Sequence, residues 1–151
     1  MPTATLERTS GEAAFDSAAE LREVLERVFE TVEGDDRVGP LLRAAHFRAC
    51  IQFTDRRLTL NLASSDDSDS YLSWSFATRA PWTPKVTLRM DSSIANAWLQ
   101  GKESLAIAIA RGRVKCTGET RSTVLFVPLA RLLAEPYRRV IDSGYEHLRL
   151  G

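Results

Sequence analysis

Cysteine and histidine are scarce in this sequence of 151 residues. The two cysteines, Cys50 and Cys116, are too few for a disulfide scaffold, and neither belongs to a Cys-x-x-Cys pair. The two histidines, His46 and His147, leave little material for a metal site or a Ser-His-Asp triad. We therefore expect no metal, no cofactor and no catalytic residue in a chain whose thiols are reduced.

The sequence has no excess of charge of either sign, because 20 basic residues balance 20 acidic ones. A net charge of zero provides no general attraction to nucleic acid or to anionic lipid. No run approaches the roughly 18 apolar residues of a membrane-spanning helix, and residues 1–11 lack the apolar core of a signal peptide. We expect a cytoplasmic protein without a nucleic-acid partner and without stable membrane insertion.

Short signatures of nucleotide-binding proteins and hydrolases are also absent, namely GxGxxG, GxxxxGK[ST] and GxSxG. The acidic run at residues 65–70 is similar to a calcium loop but lacks the central glycine and the distal glutamate of that pattern. A solvated loop between two strands is therefore the favoured interpretation of this run.

Helical periodicity begins after a leader without periodicity, which we expect to be flexible over residues 1–14. The hydrophobic content of 44% suffices for one core, so residues 15–151 are interpreted as a single domain. Ser17 and Glu20 have the spacing of a capping box, which predicts a helix start, and Gly34 predicts its end. Hydrophobic residues recur between them with a period near 3.6, at Leu21, Val24, Leu25, Val28, Phe29 and Val32.

The period then changes to two, which is typical of strands with one buried face and one wet face. Four segments show this alternation, at residues 47–54, 58–62, 71–76 and 86–90. Cys50 and Asn61 fall on the predicted wet face. Because the links between the segments are short, we expect an antiparallel meander.

Helices and one more strand are predicted in the remainder of the chain. Asp91 to Gly101 has the caps of a short helix, whereas the apolar run Leu105 to Ala110 fits a buried strand as well as a helix. Residues 113–117 are a predicted fifth strand. A helix disturbed by Pro128 is then expected to reach about Glu135, followed by a last helix over residues 137–148.

A series of positions from Pro84 to Leu129 resembles the sterol carrier protein-2 (SCP2) family of lipid-binding domains. The matching segments are the alternating strand Lys85–Met90, the helix Asp91–Leu99, the pair Gly101-Lys102, and the strand with its flanking glycines Gly112–Gly118. Leu105 and Ile109 depart from the family, since they stand where its members commonly have proline and an aromatic residue.

The resemblance implies an α+β fold with a five-stranded, mainly antiparallel sheet that helices cover on one face. The resemblance also implies that residues 103–111 are helical. Between the sheet and the helices it implies a hydrophobic tunnel that holds a fatty acyl chain, an acyl-CoA or a sterol. Small residues in the covering layer, such as Ala106 and Ala108, are compatible with space for a guest but equally with close packing.

Ten apolar residues are the candidate ligand-binding residues of this tunnel. Each of them taken singly fits an ordinary core position, and only the set in the family's order supports a tunnel. Arg111, Arg113 and Lys115 are weaker candidates for binding a ligand head group. The ten residues are Trp74, Phe76, Leu88, Met90, Ile94, Trp98, Leu105, Ile109, Phe126 and Leu129.

Three functions remain open at this point. The leading one is a non-enzymatic lipid-binding or lipid-transfer protein for a lipid or another long apolar molecule. A second is an accessory module that presents a hydrophobic intermediate to a partner enzyme. A third is an enzyme acting on an apolar substrate in the same tunnel, which the lack of an obvious nucleophile and base disfavours. The ligand, the oligomeric state and the pathway are left open.

Overall fold

The computed structural model describes residues 13–151, so the predicted leader lies outside the described residues except for its last two. Two short 3₁₀ helices, Ala130–Leu133 and Glu146–Leu148, flank the last α-helix. The α-helices of this part are α1 (Ala18–Glu33), α2 (Gly39–Ala44), α3 (Ser92–Leu99), α4 (Leu105–Ala110), α5 (Thr120–Leu129) and α6 (Ala134–Gly144). The strands are β1 (Arg48–Phe53), β2 (Leu58–Ser64), β3 (Leu72–Ser75), β4 (Val86–Met90) and β5 (Lys115–Gly118).

The start of α1 confirms the predicted cap. Ser17 Oγ accepts a hydrogen bond from the N–H of Glu20 at 3.0 Å, and Glu20 Oε1 accepts one from the N–H of Asp16 at 2.8 Å. The first bond satisfies an amide that the first helical turn leaves free, and the second joins Glu20 to the residue that precedes the cap. The helix ends at Glu33 and is followed by Gly34 as predicted, and all six of its predicted apolar positions are buried.

The sheet has the order β3-β2-β1-β4-β5, and three of its four strand pairs are antiparallel. This confirms the mainly antiparallel sheet. The prediction of an antiparallel meander through all four alternating segments is wrong for β4, because β4 lies parallel to β1. The alternation of apolar and polar residues indicates which face of a strand is buried, but it does not indicate which other strand lies beside that strand.

Helices cover the apolar face of the sheet, as predicted. The buried side chains of this face come from every second residue, for example Ile51, Leu60, Leu62 and Leu88. Phe29 on α1 packs on Trp74 of β3 with ring centroids 5.3 Å apart, and Phe126 on α5 packs on Phe47 at 6.0 Å. One continuous hydrophobic core results.

The opposite face of the sheet is less exposed to solvent than the alternation of apolar and polar residues predicts. Asn61 is fully buried and Cys50 is 8% exposed. Asn61 donates from its side-chain amide to the carbonyl of Ala77 at 2.9 Å, so the connection from β3 to β4 crosses this face. The parallel placement of β4 beside β1 requires that crossover, and the crossover buries part of the polar face.

Proline shapes the C-terminal helices. Pro128 has no N–H to donate to the carbonyl of Val124, and α5 ends at Leu129 rather than near Glu135. A 3₁₀ helix then leads into α6, which begins at Ala134, three residues before the predicted start. The apolar run Leu105 to Ala110 is helical, as the family resemblance implied. No helix within residues 13–151 combines the length and the apolarity needed to cross a bilayer.

Candidate functional site

An apolar cavity of about 650 Å³ lies between α5 and the beginnings of β1 and β4. We name it the α5 cavity. Its volume falls in the range of roughly 300–1,000 Å³ that is typical of small-molecule sites. The apolar lining consists mainly of Phe47, Val86, Leu125, Phe126, Leu129 and Leu132.

Backbone hydrogen bonds hold three chain segments together at the mouth of this cavity. The N–H of Lys85 donates to the carbonyl of Arg48 at 3.0 Å, and the N–H of Glu119 donates to the carbonyl of Lys85 at 3.0 Å. The close approach requires a glycine, because a Cβ at Gly118 would lie 2.2 Å from the Lys85 carbonyl oxygen. Gly118 also has a φ of +128°, which side-chain-bearing residues rarely adopt.

Three basic residues, Arg48, Lys85 and Arg121, are among the residues that line the α5 cavity, and within residues 13–151 none of the three forms an ion pair. Glu119 is the carboxylate in this lining, and it accepts a hydrogen bond from the Ser122 hydroxyl at 2.9 Å. Three permanent cations against one carboxylate favour a ligand with a negative head group.

A second cavity of about 520 Å³ lies on the other side of α5, next to α4. We name it the α4 cavity. Trp98, Leu105, Val127 and Ala130 provide apolar lining, and Lys102, Glu103 and Arg131 provide polar groups. Ala106 also lines this cavity and is exposed, so the cavity reaches the surface.

The sequence-predicted ligand residues fall into three groups in the structure. Phe126 and Leu129 line the α5 cavity, and Trp98 and Leu105 line the α4 cavity. The other six contribute to the apolar core without lining either cavity, and they are Trp74, Phe76, Leu88, Met90, Ile94 and Ile109. Four of the ten predicted residues therefore line one of the two cavities, and the other six lie in the core.

The cations at the mouth are not those that the sequence suggested. Arg113 forms an ion pair with Glu103, and Lys115 lines a separate polar cleft of about 310 Å³. Arg48 and Lys85 were missed because they are far apart in the sequence. Only the parallel pairing of β1 with β4 places them side by side.

His147 was predicted to be solvated, yet it bonds across the chain to the start of α1. Its Nε2 lies 2.9 Å from Glu20 Oε1 and 3.7 Å from Asp16 Oδ2. The hydrogen bond with Glu20 raises the pKa of His147. The three side chains have the composition of a metal site, but Glu20 Oε1 already accepts the Asp16 N–H at the positive end of α1, which disfavours a cation. The cluster ties the C-terminal segment to α1.

Neither thiol is placed as a nucleophile. Burial raises the pKa of the Cys50 thiol, so the reactive thiolate is disfavoured. Cys116 Sγ lies 3.7 Å from the hydroxyl of Thr123, a weak contact without a basic partner. Both cysteines are free.

Comparisons with known proteins support the fold. No family model and no curated protein matches the sequence. The apo form of Sterol Carrier Protein 2 from Yarrowia lipolytica, in contrast, superimposes with a TM-score of 0.55, covering 82% of this chain and 98% of that chain at 9% identity. The chain has the SCP2 fold. The resemblance found in the sequence is thereby confirmed at the level of the fold.

Other solved structures share this fold in whole or in part. UbiJ-SCP2, described as a ubiquinone synthesis protein, has a TM-score of 0.53 over 88% of this chain and 95% of its own length, at 16% identity. Two structures of a sec-alkyl sulfatase, one of them from Pseudomonas sp., match 55% and 60% of this chain at 20% and 19% identity, with TM-scores of 0.46 and 0.51. The chain spans only 12% and 14% of those sulfatase structures.

Proposed function

We propose that this protein binds a lipid in the α5 cavity and carries it, without catalysing a reaction. The observation that carries the proposal is an apolar cavity of about 650 Å³ in a chain with the SCP2 fold, lined among others by three basic residues that form no ion pair within residues 13–151. An apolar interior with a few charged groups at the opening suits a long apolar molecule with a polar end.

The charge at the mouth favours a fatty acid or an acyl-CoA over a sterol. A carboxylate or phosphate can form charge-assisted hydrogen bonds with Arg48 and Arg121, and these are stronger than bonds to the neutral hydroxyl of a sterol. A sixteen-carbon chain that buries about fourteen methylenes contributes roughly 11 kcal/mol before association costs are subtracted. Micromolar to nanomolar affinity follows from burial of the chain with modest help from the cations.

The proposal assigns binding roles to the residues of this cavity. Phe47, Phe126 and Leu129 contact the acyl chain, while Arg48, Lys85 and Arg121 bind its head group. Among the lining residues, Ser122 donates its hydroxyl to Glu119, which does not provide the Ser-His geometry of an activated nucleophile. This arrangement favours a carrier over an enzyme.

A second candidate is an accessory module that presents a hydrophobic intermediate to a partner enzyme. The observation that favours it is the likeness to UbiJ-SCP2 over nearly the whole of both chains, since that protein is described as a ubiquinone synthesis protein. The same cavity would serve this role. Co-purification of one enzyme in stoichiometric amounts with the tagged full chain would distinguish presentation from transfer.

Displacement of a fluorescent fatty acid tests the proposal. We expect saturable displacement by palmitate and by palmitoyl-CoA at micromolar concentrations or below, and weaker displacement by cholesterol. Native mass spectrometry of protein purified without detergent should show a defined mass increment from a bound lipid. If no acyl ligand displaces the probe up to its solubility limit, the carrier function is wrong.

A further inference from the structure

Two cations lie directly opposite each other on neighbouring strands, near the end of β4 that is away from the α5 cavity. Arg89 on β4 pairs with Lys115 on β5 in antiparallel register, and both residues are exposed. The Cβ atoms of directly opposed residues are about 4.5–5.5 Å apart, and like charges in this position destabilise a sheet. The fold therefore keeps a repulsive pair at a position where a neutral residue would be more stable.

No carboxylate of the sheet neutralises this pair. The strands β1 to β5 contain no aspartate and no glutamate, and the residue beside Arg89 on β1 is the neutral Gln52. Within residues 13–151 neither Arg89 nor Lys115 forms an ion pair. The positive charge of both side chains is therefore available to a ligand.

Arg89 and Lys115 line one cleft of about 310 Å³, which we name the β4–β5 cleft. Arg113 also lines this cleft, but its charge is neutralised by the ion pair with Glu103. Asp91 is the one acidic residue among the lining residues, and it forms no ion pair with either cation of the pair. The cleft therefore has an excess of positive charge.

We propose that the β4–β5 cleft is an anion site that binds a phosphate group through Arg89 and Lys115. The guanidinium presents paired N–H donors that match two phosphate oxygens, and the ammonium adds a compact charge with three further donors. The Thr54 hydroxyl also lines the cleft, and its hydrogen bonds of 3.4 and 3.5 Å are long, so it can donate to a phosphate oxygen instead. A doubly charged phosphate neutralises both cations, whereas a carboxylate neutralises one.

The size and the lining of the cleft define the class of ligand. A volume of about 310 Å³ is at the lower limit of small-molecule sites, and Met90 is the one large apolar residue of the lining. A small phosphate ester fits this space better than an apolar molecule does. The cleft shares no lining residue with the α5 cavity, so the inference goes beyond the proposed lipid function and does not depend on it.

Titration of the full chain with glycerol 3-phosphate at low ionic strength tests the site. Amide chemical shifts give the Kd and show which residues respond. We expect saturable shifts at residues 89 and 115 with a Kd of about 1 mM or below, and no saturable shifts with acetate. Shifts that do not saturate, or that sodium chloride reproduces at the same ionic strength, would overturn the proposal.

Neutral substitutions identify the cations that hold the phosphate. Arg89→Gln and Lys115→Gln should each weaken glycerol 3-phosphate by about tenfold or more, because each removes charge-assisted hydrogen bonds. Lys102→Gln is the matched control, since Lys102 is exposed and lies outside the β4–β5 cleft. Its Kd should stay within about twofold of the wild type. An equal loss in all three variants would show a general effect of net charge and would overturn the site.

Lys115→Gln also has an expected effect on stability that a purely structural role would not give. Without phosphate it should raise the Tm by about 1 to 3 °C at low ionic strength, because the repulsion with Arg89 is removed. Glycerol 3-phosphate should raise the Tm of the wild type but not that of Lys115→Gln. A lower Tm for Lys115→Gln in phosphate-free buffer, or an equal gain from the ester in both proteins, would contradict the proposal.

Vesicles distinguish a soluble phosphate ester from a lipid head group, which share this chemistry. Co-sedimentation with phosphatidylcholine vesicles that contain phosphatidic acid, if it is lost in Lys115→Gln, assigns the site to a lipid head group. Binding of glycerol 3-phosphate without co-sedimentation assigns it to a soluble ester. If neither probe binds, the anion site is wrong, and displacement of a fluorescent fatty acid still tests the α5 cavity separately.

Discussion

The backbone N–H of Lys85 donates to the carbonyl oxygen of Arg48 at 3.0 Å, which joins the beginnings of β4 and β1. This bond continues the parallel register in which Ala49 pairs with Val86. It places two basic residues that are distant in the sequence in the lining of one apolar cavity. The electrostatics of the proposed lipid site therefore follow from the strand order.

The first prediction concerns the charge at the mouth. Arg121→Glu should weaken palmitate by about tenfold and leave hexadecanol nearly unchanged, because only the carboxylate loses a charge-assisted hydrogen bond. Arg121 is exposed and forms no ion pair within residues 13–151, so its reversal spares the fold. Isothermal titration of both ligands provides the measurement. Arg138→Glu, an exposed change on α6 outside the cavity, is the control. An equal loss for both ligands contradicts the prediction.

The second prediction concerns the glycine at the mouth. Gly118→Ala should lower the free energy of unfolding by about 2 to 5 kcal/mol, because its Cβ meets the Lys85 carbonyl and its positive φ is strained. Gly144→Ala is the control, since a Cβ there meets nothing within 4 Å and the residue ends α6. That change should be neutral or stabilise by about 0.5 to 1 kcal/mol. Denaturant unfolding midpoints of both variants provide the measurement. Similar midpoints for the two variants would contradict the close contact between Gly118 and the Lys85 carbonyl.

The third prediction concerns a buried polar network. Tyr137 donates its hydroxyl to Asn96 Oδ1 at 2.6 Å, and Gln100 donates to the same oxygen at 2.7 Å. Burial raises the pKa of Tyr137 far above its ordinary value, so the hydroxyl remains a neutral donor. Asn96→Leu should cost about 2 to 4 kcal/mol because it leaves the Tyr137 hydroxyl buried without a partner.

The matched change Tyr137→Phe should cost only about 0.5 to 1.5 kcal/mol, because Asn96 still accepts from Gln100. The double variant Asn96→Leu with Tyr137→Phe should regain part of the stability lost in Asn96→Leu. Urea unfolding of the three variants forms the cycle. If the loss of unfolding free energy in the double variant equals the sum of the losses in the two single variants, Tyr137 and Asn96 are not coupled and the prediction is contradicted.

The fourth prediction concerns pH. The hydrogen bond with Glu20 raises the pKa of His147 above its value of 6.5 in an unfolded chain. A raised pKa stabilises the fold below the unfolded value, and this stabilisation is lost as pH rises through the folded pKa. His147→Gln should therefore destabilise by about 0.5 kcal/mol near pH 5.5 and by less near pH 8.5, since His147 is 39% exposed and the pair is screened by solvent.

The control for this experiment is His46→Asn. His46 forms no ion pair in the described part of the chain, and asparagine tolerates its positive φ of 53°. Unfolding of His46→Asn is measured at the same two pH values. A pH-independent loss in His147→Gln would show that the bond with Glu20 contributes no differential stability.

Local structure could be predicted from the sequence because its causes are local. The Ser17 and Glu20 cap and the 3.6-residue spacing after it determine α1, and alternation determines which residues of β1 and β2 face the core. The family-like positions from Pro84 onward also predicted that the apolar run at residues 105–110 is helical. Hydrogen bonding between neighbours in the sequence and the burial of one face suffice for these features.

The tertiary structure alone decided where the candidate site lies. Leu88 and Phe126 are both buried apolar residues, and only packing shows that Phe126 lines the α5 cavity while Leu88 does not. Alternation likewise cannot state that β4 lies parallel to β1, because a strand's hydrophobic pattern is the same beside any neighbour. That pairing brings Arg48 to Lys85, and the charge at the mouth therefore depends on contacts between segments that the sequence does not order.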